Sequence, residues 1–431
     1  MTPTSPHHLQ ARRSVRHHLA GALALLALTV LTASCGQGGG GDQADADAPT
    51  TTAGPSLPEG IEQGPDGDEM FVPPDPLPAG EPGEIVWARA FPAFEDTTGY
   101  RVLFHSTSVD GEDIAVSGTI LVPEGDAPPE GRPVAVIGQS RGATADQCAA
   151  SHDESYERGH EEVGDWSERD FAHLMAGEGY VVAVPDYQGF GTPGPGRFLE
   201  GEAEAHAVLD GARAARVVAG TPGAPVVGVG NSQGGHAMAF AAQLADEYAP
   251  ELGLAGVFVG HPLAELATLA GPMGSSPIFG NYLLAYAGLL PDNPELADSS
   301  ALTPEGVATL DRFEADCGEN VVSTLQGQDP ARYLTDPASV PPVFADVLEA
   351  NSPGNQVTDI PILLVHGSRA EPIPQAIGDL FFARLCDAGF TVEYRTPSGS
   401  AETAVLESEP YLVEWMNDRI AGEPAPTTPC P

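Results

Sequence analysis

Residues 226–240, VVGVGNSQGGHAMAF, pass from an apolar run through a glycine-flanked serine into a helical pattern. The valine-rich start has the character of a strand buried on both faces. Beyond it Ala237, Phe240, Ala241, Leu244 and Tyr248 recur at helical spacing and predict one buried stripe. Gly234 and Gly235 leave room for a sharp turn with Ser232 at its tip. A strand–turn–helix of this kind lifts a serine hydroxyl clear of the sheet, where it becomes a nucleophile if a base takes its proton. A second G-x-S-x-G match, GQSRG at Ser140, also follows a strand, but the polar ATADQCAASHDESYERGH after it does not continue as a helix. Ser232 is therefore the expected elbow, and Ser140 falls where such folds build an oxyanion hole.

Working outward, PVAVIG, YVVAVPD, PVVGVG, LAGVFVG, PILLVHG and TVEYRT alternate with helical stretches such as ERDFAHLMAGEG and GEAEAHAVLDGARAARVVAG. Fully apolar strands alternating with helices predict an α/β fold with a mostly parallel central sheet. EIVWARAF, YRVLFHSTS and DIAVSGTILVP, upstream, predict an antiparallel opening to it. The alternation breaks at residues 262–358, which are helical in pattern, broken by Pro and Gly, and too long for a crossover. They predict an inserted helical cap over the end of the sheet where sites form. Its most apolar stretch, IFGNYLLAYAGLL, packs within the cap or faces an apolar ligand.

The chain carries 61 Asp+Glu against 18 Lys+Arg, all of them arginine, for a formal charge of −43. That balance argues against nucleic acid or anionic lipid as a partner. Arg12, Arg13 and Arg16 followed by LAGALALLALTVL predict a signal peptide over residues 1–34. LTASC resembles a bacterial lipobox, with Thr32 where an aliphatic residue is usual, and predicts cleavage before Cys35 and lipid on its thiol. The acidic, Gly- and Pro-rich residues 35–70 predict a disordered tether, and the folded domain is expected over 71–431. The product is then a monomer held at the outer face of the cell membrane, or secreted. Cys148, Cys317, Cys386 and Cys430 remain, enough for two disulfides with three possible pairings. SHDESYERGHEE is expected to be a solvated loop rather than a metal site, no other cluster has metal-ligand spacing, and no loop before a helix except the elbow has the pattern that cradles phosphate. No cofactor is implied.

With GYVVAVPDYQGFGTPG (179–194), AVLDGARAAR (207–216) and GNSQGGHAMAFAAQLADEYAPELGLAGV (230–257), the chain resembles the secretory lipases of fungi and actinobacteria. These are α/β hydrolases that cleave triacylglycerols and other carboxylic esters, and the resemblance runs from about FVPPDPLPAGEPGEIV to the C-terminus. It implies a cap with a lipid-binding tunnel, a Cys148–Cys317 bridge tying cap to body, and a Cys386–Cys430 bridge. It also implies a triad in the order Ser, Asp, His, with the acid in a stretch of the form H-G-x-x-D-x-x-V-P.

Here that stretch is HGSRAEPIP, with Ala370 at the acid's place and Glu371 beside it. In the histidine's turn, YRTPSGSAETAVL, Glu402 takes the histidine's place. The last histidine of the chain is His366, so no shift of alignment restores the triad. The oxyanion loop departs too: the backbone N–H of Gln233 comes with the elbow, while the second donor falls somewhere from Gln139 and Ser140 to Gly142. Glu402, with Glu371 near it, or His261 in VFVGHPLAEL could replace the base, whereas His236 and His366 are expected to be structural. A carboxylate is about two pKa units less basic than imidazole. Loss of the histidine costs a serine hydrolase about a millionfold in turnover and leaves about 10³–10⁴ over water. Two functions stay open: an impaired lipase-fold protein that binds acyl or lipid ligands at the cell surface, and an esterase with a rebuilt triad.

Overall fold

Strands β1 (Ile85–Pro92), β2 (Thr97–Thr107) and β3 (Asp113–Pro123) form the antiparallel opening of the sheet. The α/β alternation then begins with β4 (Val134–Gly138), α1 (Glu168–Gly177), β5 (Val181–Pro185), α2 (Gly201–Ala219), β6 (Val226–Asn231), α3 (Gln233–Tyr248) and β7 (Leu254–Gly260). Five helices follow: α4 (Leu266–Gly274), α5 (Gly280–Leu289), α6 (Pro304–Ala315), α7 (Gly318–Leu325) and α8 (Pro342–Ala350). The chain returns to the sheet as β8 (Ile362–Val365), α9 (Gln375–Ala388), β9 (Val392–Arg395) and α10 (Ala401–Ile420). These features come from a computed structural model that describes residues 55–94, 96–129, 131–140, 144–157 and 168–431. The expected signal peptide, Cys35 and the tether as far as residue 54 lie outside the described residues.

The sheet has the order β1-β2-β3-β5-β4-β6-β7-β8-β9, and is parallel from β5 onward. Its central strands are apolar throughout because both faces are covered. Val226, Val257 and Val259 face a layer built by α2, α3 and α9. Their neighbours Val227, Val229 and Phe258 face the opposite layer, with α1 and α10. Each fully buried side chain of this kind contributes about 1.5–3 kcal/mol.

Helix α3 departs from the single stripe expected of it. Gln233 to Ala239, Ala241, Ala242 and Ala245 are buried, and Phe240, Leu244 and Tyr248 are only partly so. The helix is wedged between the sheet and α2, and its alanines and glycines allow that close fit on several sides.

Two other expectations need correction. The tether predicted through residue 70 ends earlier, because residues 57–71 are bound along β1. Ala88 N–H donates to Glu62 O at 2.9 Å, Gly64 N–H to Ala88 O at 3.0 Å, and the Trp87 indole N–H to Met70 O at 2.8 Å. Leu57, Ile61 and Met70, scarce apolar residues in that acidic segment, are enough to draw it into the body. The segment expected as a solvated loop is also packed where it is described. Ser151 is fully buried, Tyr156 nearly so, and His152 stacks on Phe71 with ring centroids 3.6 Å apart.

The cap lies where the sequence places it, between β7 and β8, with its own core including Phe279, Leu283, Phe313 and Phe344. Cys148 is bonded to Cys317 at the start of α7, and Cys386 to Cys430. Beside the first bridge, Thr144 Oγ1 donates to Phe313 O at 2.7 Å and Gln147 Nε2 to Ala315 O at 3.0 Å. Body and cap are thus joined at one corner by a covalent bond and two hydrogen bonds. The Cys148–Cys317 bridge closes a sequence separation of 169 residues. Replacing both cysteines with serine is expected to lower stability by roughly 5 kcal/mol, a loss readable in chemical denaturation.

Candidate active site

Ser232 sits between β6 and α3 with φ 54° and ψ −116°, a backbone conformation that L side chains rarely adopt. Its N–H donates to Gly260 O at 2.8 Å, and its carbonyl accepts from His236 N–H at 3.1 Å and Leu263 N–H at 3.3 Å. The glycines around it are required by contact. A Cβ on Gly230 would strike the Gly234 carbonyl, and one on Gly234 would strike the Gly138 carbonyl. The turn therefore rests directly on the ends of β4 and β6. Ser232 Oγ has no hydrogen-bond partner among the described residues.

A cavity of about 330 Å³ opens over this serine. Ser140, Ser232 and Gln233 form its polar floor. Its walls are mostly apolar: Phe198 and Leu199 before α2, Leu266 and Met273 of α4, Tyr282 and Leu284 of α5, Phe344 and Leu348 of α8, and Ile373. Size and lining suit a small apolar ligand whose polar group meets the floor. Along the IFGNYLLAYAGLL helix, Leu283 and Leu289 are buried in the cap core, while Tyr282 and Leu284 line the cavity.

The positions read as acid and base lie at the carboxyl ends of neighbouring strands. Ala370, 4% exposed, follows β8, and its N–H donates to Gly367 O at 3.1 Å. Glu371 is exposed and lines no part of the cavity, although the next two residues, Pro372 and Ile373, do. Glu402 falls in the first turn of α10, after β9, just beyond Ser400, whose hydroxyl caps that helix by accepting from Thr403 N–H at 3.3 Å.

His261, the alternative base that the sequence allowed, is held by hydrogen bonds to groups other than Ser232. It is 1% exposed, its Nε2 accepts the Gly367 N–H at 2.7 Å, and its Nδ1 then donates to Asn231 Oδ1 at 3.2 Å. Burial, with His366 adding to it, pushes its pKa down to about 3. Both nitrogens are occupied and the ring is a neutral structural strut. His366, fully buried against it with centroids 4.8 Å apart, directs Nε2 to Ile373 O at 3.1 Å, and burial lowers its pKa as well.

The oxyanion candidates divide in the same way. Gln233 is the first residue of α3, where backbone N–H groups have no acceptor within the helix. The side chain of Gln139 turns away from the cavity, donating to Pro185 O at 2.8 Å and Asp186 Oδ1 at 3.0 Å. Ser140 lines the cavity, but its hydroxyl donates to Asn231 O at 2.6 Å. Neither of these side chains is available as the second donor, and Arg141 and Gly142 lie outside the described residues. Among the described residues no group of His, Cys, Asp and Glu has the arrangement of a metal site.

Sequence reasoning missed the buried polar cluster behind the elbow. Glu204 of α2 accepts from Leu199 N–H at 3.1 Å and Gln233 Nε2 at 2.8 Å, and meets His236 Nδ1 at 2.6 Å. Glu200 stands beside it, where burial first, and the charges of Asp292 and Glu204 next, raise its pKa from 4.5 to about 7. The folded state therefore holds a proton on Glu200 that the unfolded chain has lost, so stability falls as pH rises from 4.5 to 7. The loss is about 3 kcal/mol, and Glu200→Gln is expected to remove that slope in denaturation midpoints measured across the window.

Comparison with known proteins agrees with this architecture. Residues 171–428 match the family described as secretory lipase. A protein named as a probable inactive lipase from Mycobacterium tuberculosis is 27% identical over 382 residues, covering 84% of this chain and 83% of that protein. A secreted triacylglycerol lipase of Malassezia globosa is 26% identical over 384 residues, covering 83% and 81%. The crystal structure of Candida antarctica lipase A shares the fold with a TM-score of 0.71 at 22% identity, over 84% of this chain and 88% of that one. With the strained serine elbow, the capped nine-stranded sheet and the family match spanning more than half its length, the chain belongs to the secretory lipase family.

Proposed function

We propose that this protein is a catalytically impaired secretory lipase that holds acyl or lipid ligands in the cavity beneath its cap. One observation carries the reading: Ser232 lines the cavity, its Oγ has no acceptor among the described residues, and the acid's position is a buried alanine. The imidazoles at the ends of β7 and β8 have Nε2 engaged by Gly367 N–H and Ile373 O. Without a base, the serine loses about six orders of magnitude in turnover, while binding in the cavity is untouched. The name of the mycobacterial relative, a probable inactive lipase, supports the same reading. Export is supported by the N-terminal leader pattern and by the secreted lipases among the relatives. The LTASC pattern supports a lipid on Cys35, which would tether a monomer to the outer face of the membrane. A second reading, an esterase with Glu402 as base, rests on the retained strain at Ser232, a feature that costs about 1–3 kcal/mol and that catalysis would explain.

Hydrolysis of a short p-nitrophenyl ester by the purified protein, against Ser232→Ala, separates the two. The impaired reading predicts equal, near-background rates. It also predicts a gain of at least about a hundredfold when Ala370→Asp is combined with a histidine in the turn after β9, tried both as Glu402→His and as Ser400→His. Wild-type hydrolysis that disappears in Ser232→Ala supports the rebuilt triad instead.

A further inference from the structure

The cluster around Glu204 is fully buried and lies directly behind the cavity floor. Glu204 and His236 are each 0% exposed, so every proton between them has to be accounted for by the atoms present. His236 Nδ1 faces Glu204 Oε2 at 2.6 Å, and His236 Nε2 faces the Asn351 carbonyl at 2.8 Å. Both partners are acceptors. A neutral imidazole beside a carboxylate would point a lone pair at one of them. The contacts are satisfied when the ring bears a proton on each nitrogen, because Glu204 Oε1 already accepts two N–H bonds and is best placed to remain the anion.

The two residues on Oε1 are both cavity residues. Leu199, at φ 64°, forms part of the wall, and Gln233 part of the floor. On the other side of the ring, Asn351 follows α8 of the cap, and its Oδ1 accepts from Gly201 N–H at 2.9 Å at the start of α2. The Glu204–His236 pair therefore touches the wall of the cavity, its floor, the elbow helix and the base of the cap.

We propose that Glu204 is a positioning residue for the ligand cavity, which, through a doubly protonated His236, fixes Leu199, Gln233 and the cap's Asn351 in one arrangement. The proposal rests on the cavity being the ligand site, as argued above. Glu204 touches no ligand itself; its carboxylate sets where wall and floor stand. Ordering these groups before binding lowers the cost of binding.

The test uses the full chain as wild type, Glu204→Gln and Glu204→Ala. In the ¹⁵N-labelled wild type, both ring nitrogens of His236 carry protons. Glu204→Gln keeps the shape and one acceptor oxygen, and returns the ring to a single proton. Hydrogen exchange at Leu199 N–H accelerates in both variants, since its acceptor is uncharged in Glu204→Gln and absent in Glu204→Ala. Saturable uptake of Nile red, displaced by monoolein, weakens about tenfold in Glu204→Gln while thermal unfolding stays cooperative. If Glu204→Ala fails to fold, Glu204→Gln alone decides. A singly protonated His236 in the wild type, or unchanged Leu199 exchange in Glu204→Gln, overturns the proposal, as does Nile red affinity equal to wild type. If the wild type takes up no Nile red, the ligand-binding reading falls, and ring protonation with Leu199 exchange still supports or overturns the positioning role.

Discussion

The turn at Ser232 works because three glycines let backbone meet backbone. Gly230 and Gly234 approach within a distance no Cβ tolerates, and Gly234 does the same with Gly138 on the neighbouring strand. Helix α3 is thereby docked onto the ends of β4 and β6, and the serine between them is forced to positive φ. The start of α3 and, with Ser232 and Gln233, the cavity floor take their positions from that contact. Alanine at either glycine would force the strand ends apart and move the floor with them.

Around this fixed point the polar groups are engaged with one another rather than with the serine. His261 is held by Gly367 and Asn231, Ser140 by the Asn231 carbonyl, and Gln139 by Pro185 and Asp186. Each of these side chains is engaged by a hydrogen bond, and breaking one at the buried His261 or Gln139 would leave a polar atom unpaired at a cost of about 1–3 kcal/mol. That cost opposes a small shift of His261 toward the serine. The backbone geometry of the elbow is retained, while Ala370 and Glu402 stand where the family resemblance implies an acid and a histidine.

Much of this was legible in the sequence, for physical reasons. The buried strands announce themselves because parallel strands covered on both faces must be apolar throughout. The elbow was legible because its contacts demand glycine at fixed places, and the cap because no crossover is so long. The limit of the tether was not, since three apolar residues in an acidic segment look like noise until β1 supplies a partner. Nor was Glu204 or Glu200: in a chain with 61 acidic residues, two more in FLEGEAEAHAVLD carry no mark of burial. His261 is held by a backbone N–H and an amide oxygen brought to it by tertiary structure, which no spacing along the chain encodes.

Covalent labelling of Ser232 by a fluorophosphonate, followed by peptide mass spectrometry, tests the proposed absence of a working base most directly. The account predicts no adduct on Ser232 above the level seen on surface hydroxyls, under conditions in which an active serine lipase is modified completely. Rapid, stoichiometric modification of Ser232 in the wild-type protein would contradict it.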